Sequence, residues 1–212
     1  MDDNTVWHNK LLLEKTAENL AKNGFDAKLY DTVQQAKEYV FSLISPDMQI
    51  AAGGSLSIKQ LGLFDYLKEK QISLIQHKPE MNFDQRREIW RKAIMSDLYF
   101  ASPQAVTIEG KLVFVDMYGN RVAAVIFGPK KVVLIAGYNK LVTDDETAMW
   151  RSRHVAGVQN AHRLNKKTPC MTAGKCMDCS SKDRICNVTT ILHKKPGATD
   201  ITIILVNEQL GL

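Results

Sequence analysis

The feature that most restricts the fold is a repeated switch between two hydrophobic periods along the 212 residues. Between Thr5 and Lys22, the residues Val6, Leu11, Leu12, Leu13, Ala17, Leu20 and Ala21 recur at helical spacing, and Asn23-Gly24 supplies a stop. Phe25–Tyr30 reads as a short strand, Val33–Leu43 as a helix capped by Asp31-Thr32 and broken by Ser45-Pro46, and Met48–Ala52 as a buried strand. A helix over Ser55–Lys70, a strand over Ile72–Gln76, a helix over Phe83–Met95 and a strand over Asp97–Ser102 follow. Ala105–Ile108 and Lys111–Asp116 form hairpin arms around Glu109-Gly110, and Tyr118-Gly119-Asn120 supplies a second turn. Val132–Ala136 has the unbroken apolar character of a strand buried on both faces, Asp144–Leu164 is helical, and Ile201–Val206 is a last strand. Such alternation predicts an α/β fold, Rossmann-like in three layers, with a largely parallel sheet between helices.

A chain of this length holds one core, so residues 1–212 are expected to form a single domain. Its composition shifts at about residues 165–196, a cysteine-rich insertion poor in branched aliphatics, expected to leave the core before the last strand. The longest apolar runs, Val122–Phe127 and Val132–Ala136, are far below the ~20 residues of a membrane span. Met1-Asp2-Asp3-Asn4 lacks the pattern of a secretory signal, so the cytoplasm is the expected location. The net charge is +5, but basic residues alternate with acidic ones and form only lysine doublets, which argues against nucleic-acid binding.

All four cysteines fall between Cys170 and Cys186, spaced C-x5-C-x2-C-x6-C through Cys176 and Cys179. In a reducing compartment such a cluster points to metal or redox chemistry before disulfides. A C-x-x-C pair lets two thiolates converge from one turn, and the outer cysteines can complete a four-coordinate site. The pattern has one C-x-x-C knuckle where structural zinc sites usually have two, which favours a [4Fe–4S] cluster over zinc. Free thiols or a redox-active pair remain open, because Lys175, Lys182 and Arg184 stabilise any thiolate.

A second candidate is Gly53-Gly54-Ser55 with Ser57, a glycine turn between a buried strand and a helix. Backbone N–H groups and serine hydroxyls there suit a small carboxylate or phosphate, although a tight turn with a serine cap has the same sequence. Thr107, Glu109, Asp116, Asn120 and Arg121 lie at predicted strand ends, where open α/β sheets gather ligands, and each also suits a turn. His154 and His162 lie eight residues apart on the predicted helix, within reach of the cysteine segment. None of these residues has an assignable catalytic role.

The cysteine segment, together with Gly54-Ser55-x-Ser57-Ile58, Asp97–Ser102, Gly119–Ala123, Phe127–Val132 and Asn207–Gly211, resembles the lactate-utilization (LUD) domain family over almost the whole chain. The resemblance implies a sheet of the NagB/RpiA/CoA-transferase type and a role in oxidation of lactate or another 2-hydroxy acid. It also implies anionic substrate groups held at Gly53, Gly54, Ser55 and Ser57, and work beside iron–sulfur or flavin partner subunits. The family usually has threonine where this chain has Ser57, which keeps the hydroxyl. The resemblance names no reaction and leaves oligomeric state open, a homo-oligomer included. A sugar-phosphate or CoA-ester enzyme with a structural zinc or redox thiol loop is the rival expectation, and a redox-sensing scaffold a third.

Overall fold

The structure, a computed structural model, describes residues 2–212. In chain order its elements begin with α1 (Asp3–Lys22), β1 (Asp26–Tyr30), α2 (Val33–Ser42), β2 (Ile50–Ala52), α3 (Leu56–Gln60), α4 (Leu63–Glu69) and β3 (Leu74–Ile75). Next come α5 (Phe83–Ile94), β4 (Leu98–Ala101), β5 (Ala105–Thr107), β6 (Leu112–Asp116), α6 (Asn120–Ile126) and β7 (Lys131–Gly137). The rest comprises β8 (Leu141–Val142), α7 (Asp145–Trp150), α8 (Gly157–Arg163), α9 (Cys170–Ala173), β9 (Val188–Leu192) and β10 (Asp200–Val206).

Six strands form one sheet in the order β1-β10-β7-β4-β2-β3, and every neighbouring pair is parallel. Strand β10 lies between β1 and β7, aligning Asp26 with Thr202 and Ile203 with Leu134. Side chains alternate faces along a strand, so β7 sends Val132, Leu134 and Ala136 into one apolar layer and Val133 and Ile135 into the other. The first layer is covered by Leu13 and Leu20 of α1, Ala93 of α5 and Val125 of α6, the second by Val40 of α2, Ile58 of α3 and Leu63 and Leu67 of α4. Burial on both faces explains why the central strands read as unbroken apolar runs. The expected Rossmann-like, three-layer α/β architecture is present.

A second sheet, β8-β5-β6-β9, packs Val106, Leu112 and Phe114 against the first layer. Its β5–β6 hairpin is antiparallel, as the sequence suggests, and β9 extends it by pairing antiparallel with β6.

Four sequence readings are corrected. The helix expected over Ser55–Lys70 is two helices, because Gly62 takes a left-handed conformation at φ +81°. The turn at Tyr118-Gly119-Asn120 leads into a helix that the sequence reading leaves out: Gly119, at φ +76°, starts α6, and the Asp116 carboxylate accepts from the Val122 N–H within its first turn. The helix expected over Asp144–Leu164 contains a π-helical segment, Arg151–Ala156, between α7 and α8. The excursion expected over 165–196 returns to a sheet at Val188, since cross-strand partners on β6 organise β9 although only Leu192 of its own residues is buried.

Candidate functional site

The carboxyl ends of β2, β4 and β7 lie side by side in the parallel sheet, and the residues that follow them meet. Gly53 follows β2, Ser102 follows β4, and a 3-10 turn over Tyr138–Lys140 follows β7. Ser57, in the first turn of α3, completes the group. Lys140 Nζ donates to Ser57 Oγ at 3.0 Å, to Ser102 Oγ at 2.6 Å and to the Pro103 carbonyl at 3.1 Å. The two serine oxygens are 3.3 Å apart, and Ser102 Oγ donates to the Ile135 carbonyl at 2.6 Å. Ser57, Ser102 and Lys140 are 1%, 3% and 4% exposed, so the cluster is closed to bulk water.

Two guanidinium groups flank it. Arg121 Nε donates to Asp116 at 2.8 Å, while its other nitrogens reach the Ser102 carbonyl and the Gln104 side chain. Arg151, in the π-helical segment, donates to the carbonyls of Asn139 and Gln104. Burial, reinforced by Arg151 and Arg121, lowers the pKa of Lys140 from 10.5 to about 7. Burial alone lowers that of Arg151 to about 10. Three acceptors around Nζ satisfy an ammonium, yet removal from water next to two cations outweighs them. The amine therefore exchanges its proton near neutrality, which an exposed lysine does not.

Of the residues singled out in the sequence, Ser57, Asp116 and Arg121 join this site. Gly53 borders it: a side chain there would touch the Tyr99 hydroxyl and the Arg121 stem. The Gly54 carbonyl accepts from Arg163 at 3.1 Å, and the Ser55 hydroxyl caps α3 by accepting from the Ile58 N–H. Asn120 is half-buried at the start of α6. The side chains of Thr107 and Glu109 have local partners: the Thr107 hydroxyl accepts from the Lys111 N–H, and the Glu109 carboxylate pairs with the Lys111 ammonium. Lys140, Ser102 and Arg151 escaped the sequence reading as site residues. Lys140 follows the strongest buried strand by four residues and Ser102 ends another predicted strand, so the strand-end rule applied to Asp116 pointed to them as well.

The cysteines form a separate centre. Cys170, Cys176, Cys179 and Cys186 are all half-buried and unbridged, and all four line one cavity with Thr168, Arg153 and Arg184. Its free volume is about 20 Å3, room for one water-sized group. Among the described residues no three His, Cys, Asp or Glu side chains are grouped so as to hold a metal ion. Four thiols are the donor type that a thiolate-bound cluster would need, and Arg153 Nε is buried here without a partner. Seating a cluster requires the loop to draw back. The only regular element between Asn165 and Asn187 is the four-residue α9. Burial raises the pKa of Cys186 despite the nearby Arg184. His154 does not join the thiols; its ring stacks on Trp150 at 5.4 Å between centroids.

No helix among the described residues is long and apolar enough to cross a membrane. No curated protein matches the chain. The fold is shared with a crystal structure of a DUF162 family protein from Deinococcus radiodurans, with a TM-score of 0.53 over 93% of this chain and 98% of that one at 9% identity. The family model of the LUD domain matches residues 13–206, which contain both polar centres. A match of that extent, on the parallel sheet and strand-end geometry described above, places the chain in the LUD domain family, whose general association is with lactate utilization.

Proposed function

We propose that this chain is a cytoplasmic, single-domain component of a lactate or 2-hydroxy-acid oxidation system, and that its four thiols hold an iron–sulfur cluster serving it. The observation that carries the reading is the convergence of Cys170, Cys176, Cys179 and Cys186 on one cavity beside Arg153, whose Nε has no partner. A single tetrahedral ion draws four sulfurs to ~2.3 Å from one centre. A cluster of several irons holds them farther apart. Such a group supplies one-electron transfer when bound. The residues around it have defined tasks: Arg184 and Arg153 balance negative charge, and Arg184, paired with Asp178 at 2.9 Å, holds the loop between Cys179 and Cys186.

Near Gly53 and Ser57 the guanidinium groups of Arg121 and Arg151 outnumber the one carboxylate of the cluster, Asp116. That excess of positive charge supports binding of a small carboxylate anion at the strand ends. An iron–sulfur or flavin subunit is the expected electron partner, and a homo-oligomer is compatible with the fold.

Anaerobic purification, followed by reconstitution with ferrous iron and sulfide, tests the reading. The expected protein is brown, contains about four irons per chain and gives a paramagnetic signal on reduction, all lost in the Cys176→Ser/Cys179→Ser double variant. A colourless chain containing about one zinc after the same treatment overturns it.

A further inference from the structure

The buried hydroxyls of Ser57 and Ser102 and the amine of Lys140 have no part in thiolate chemistry, and nothing in a binding site for a free carboxylate requires two serines on one lysine. We infer that they form an acyl-transfer centre for a carboxylic ester or thioester, with Ser57 Oγ as nucleophile, Lys140 Nζ as its base and Ser102 as a positioning residue. The inference stands apart from the cluster reading and survives its failure.

The assignment follows from counting hydrogens. A carbonyl oxygen only accepts, so the single hydrogen of Ser102 is committed to Ile135 O at 2.6 Å, and Ser102 Oγ accepts from Lys140. Pro103 O likewise only accepts. The Ser57 hydrogen has two places to go: Ser102 Oγ at 3.3 Å, or Lys140 Nζ at 3.0 Å when the amine is neutral. Ser57 is therefore the hydroxyl whose proton Lys140 can take, and Ser102 holds the amine in reach of it. The charged groups facing Lys140 are Arg151 from the π-helical segment and Arg121 from α6, the latter bound to Asp116 at the end of β6. Both cations drive the amine toward its neutral, basic form, and both stabilise negative charge on an attacked carbonyl oxygen.

The balanced sequence has two halves. Ser57 Oγ bonds to the acyl carbon while its proton passes to Lys140 Nζ, the bond from carbon to the leaving oxygen or sulfur breaks, and Lys140 returns the proton to that atom. A water then attacks the acyl-serine ester with Lys140 taking its proton, the carboxylic acid leaves, and the proton restores Ser57. The net reaction is ester or thioester plus water to acid plus alcohol or thiol, with no redox change.

Access is controlled by residues 210–212. Gly211, at φ +67°, lies so close that a methyl group on it would collide with Ser57 Oγ. The segment is tied down by Gly211 N–H to the Gln60 side chain at 2.6 Å and by Leu210 N–H to the Asn139 side chain at 3.0 Å. Lifting it exposes Ser57. Gln60 is exposed and makes this tether with its side chain alone, so Gln60→Ala loosens the cover without entering the centre.

A fluorophosphonate probe, read by intact mass and peptide mapping, tests the centre in the full chain. One adduct on Ser57 is expected, forming faster as pH rises through about 7, where Lys140 loses its proton. Gln60→Ala should label several-fold faster, and Lys140→Met at least ~100-fold slower, the usual scale for losing a positioned base. Labelling in Ser102→Ala should persist on Ser57 at a reduced rate with a shifted pH midpoint. Hydrolysis of p-nitrophenyl acetate or of acetylthiocholine by Gln60→Ala, absent in Ser57→Ala, supports the centre and identifies the leaving atom as oxygen or sulfur. No adduct on Ser57 at any pH between roughly 6 and 9, in wild type and in Gln60→Ala alike, overturns the proposal. Equal labelling in folded Lys140→Met overturns it too. If Lys140→Met fails to fold, the wild-type pH profile decides: a rate that does not change with pH overturns it.

Discussion

The strand-end centre and the cysteine cavity are both polar, yet the chain holds them in opposite ways. Ser102 and Lys140 follow buried strands and Arg121 lies in the first turn of α6, and their side chains are fixed by the carbonyl of Ile135 in β7 and by those of Pro103 and Ser102 just beyond β4. The cysteines occupy a segment tied largely within itself, by surface hydrogen bonds such as Ser181 Oγ to Lys167 O at 2.9 Å and Lys167 N–H to Asp183 at 2.9 Å and by the half-buried Arg184, which donates to the Cys179 and Cys186 carbonyls. The first centre has its geometry before any ligand arrives, because rearranging it would strip buried polar groups of their partners. The second has gathered ligands without a finished geometry, and the free energy of whatever binds there is available to complete it.

Four measurements break or sharpen this contrast. The largest effect is expected for Asp116→Ala, which strands the Arg121 guanidinium, 18% exposed, without its carboxylate. A loss of about 3–5 kcal/mol in urea unfolding is expected, and a loss below about 1 kcal/mol would show that the strand-end network is dispensable.

Next is the pH dependence contributed by Lys140. Its folded pKa, about 7, lies below its unfolded value near 10.5, so between these values the unfolded chain binds the extra proton. Stability from this group therefore rises with pH across that window, and the penalty is complete below pH 7. Unfolding free energies from urea titrations at pH 7 and 9 should differ by up to about 3 kcal/mol more in wild type than in Lys140→Met, on the order of 1.4 kcal/mol per pH unit. Parallel curves for the two proteins would mean that the amine stays charged.

Gly211→Ala combines a left-handed backbone with a collision against Ser57, and should cost about 1–2 kcal/mol while loosening residues 210–212. Faster hydrogen exchange at Gly211 checks it. The smallest effect belongs to the double variant Cys176→Ser/Cys179→Ser without metal, for which less than about 0.5 kcal/mol is expected, as for other half-exposed positions. A large loss in this apo variant would end the contrast, because the thiols would then be part of the fold itself.

The sequence carried the parallel sheet well because buried strands such as Val132–Ala136 have both faces covered and announce it in their side chains. It carried α6 poorly: Gly119-Asn120 has the composition of a turn, and only the Asp116 carboxylate on the Val122 N–H, set by the strand before it, shows that a helix starts there. Strand β9 was hidden for a similar reason. Val188–Leu192 is short and buries only Leu192, and its organisation comes from β6, more than 70 residues away. Of the functional residues, Ser57, Asp116 and Arg121 could be reached by position relative to a strand. Lys140 looked like an ordinary lysine because nothing local reports burial, and its partners are 83 and 38 residues distant.

The place of β10 sets the order in which the molecule can be made. Because Asp200–Val206 lies between β1 and β7, strand β1 has no neighbour in its sheet until residues 200–206 exist. On the ribosome, α1 and β1 emerge early and wait while some 170 further residues are synthesised, a span of about 10–35 s at ordinary translation rates. During that time the edges of β1 and β7 that β10 will occupy are open to wrong pairing. Completing the sheet is thus a late, long-range event, and a chaperone that shields β1 should raise the yield of folded chain more than one that acts on the middle of the sequence.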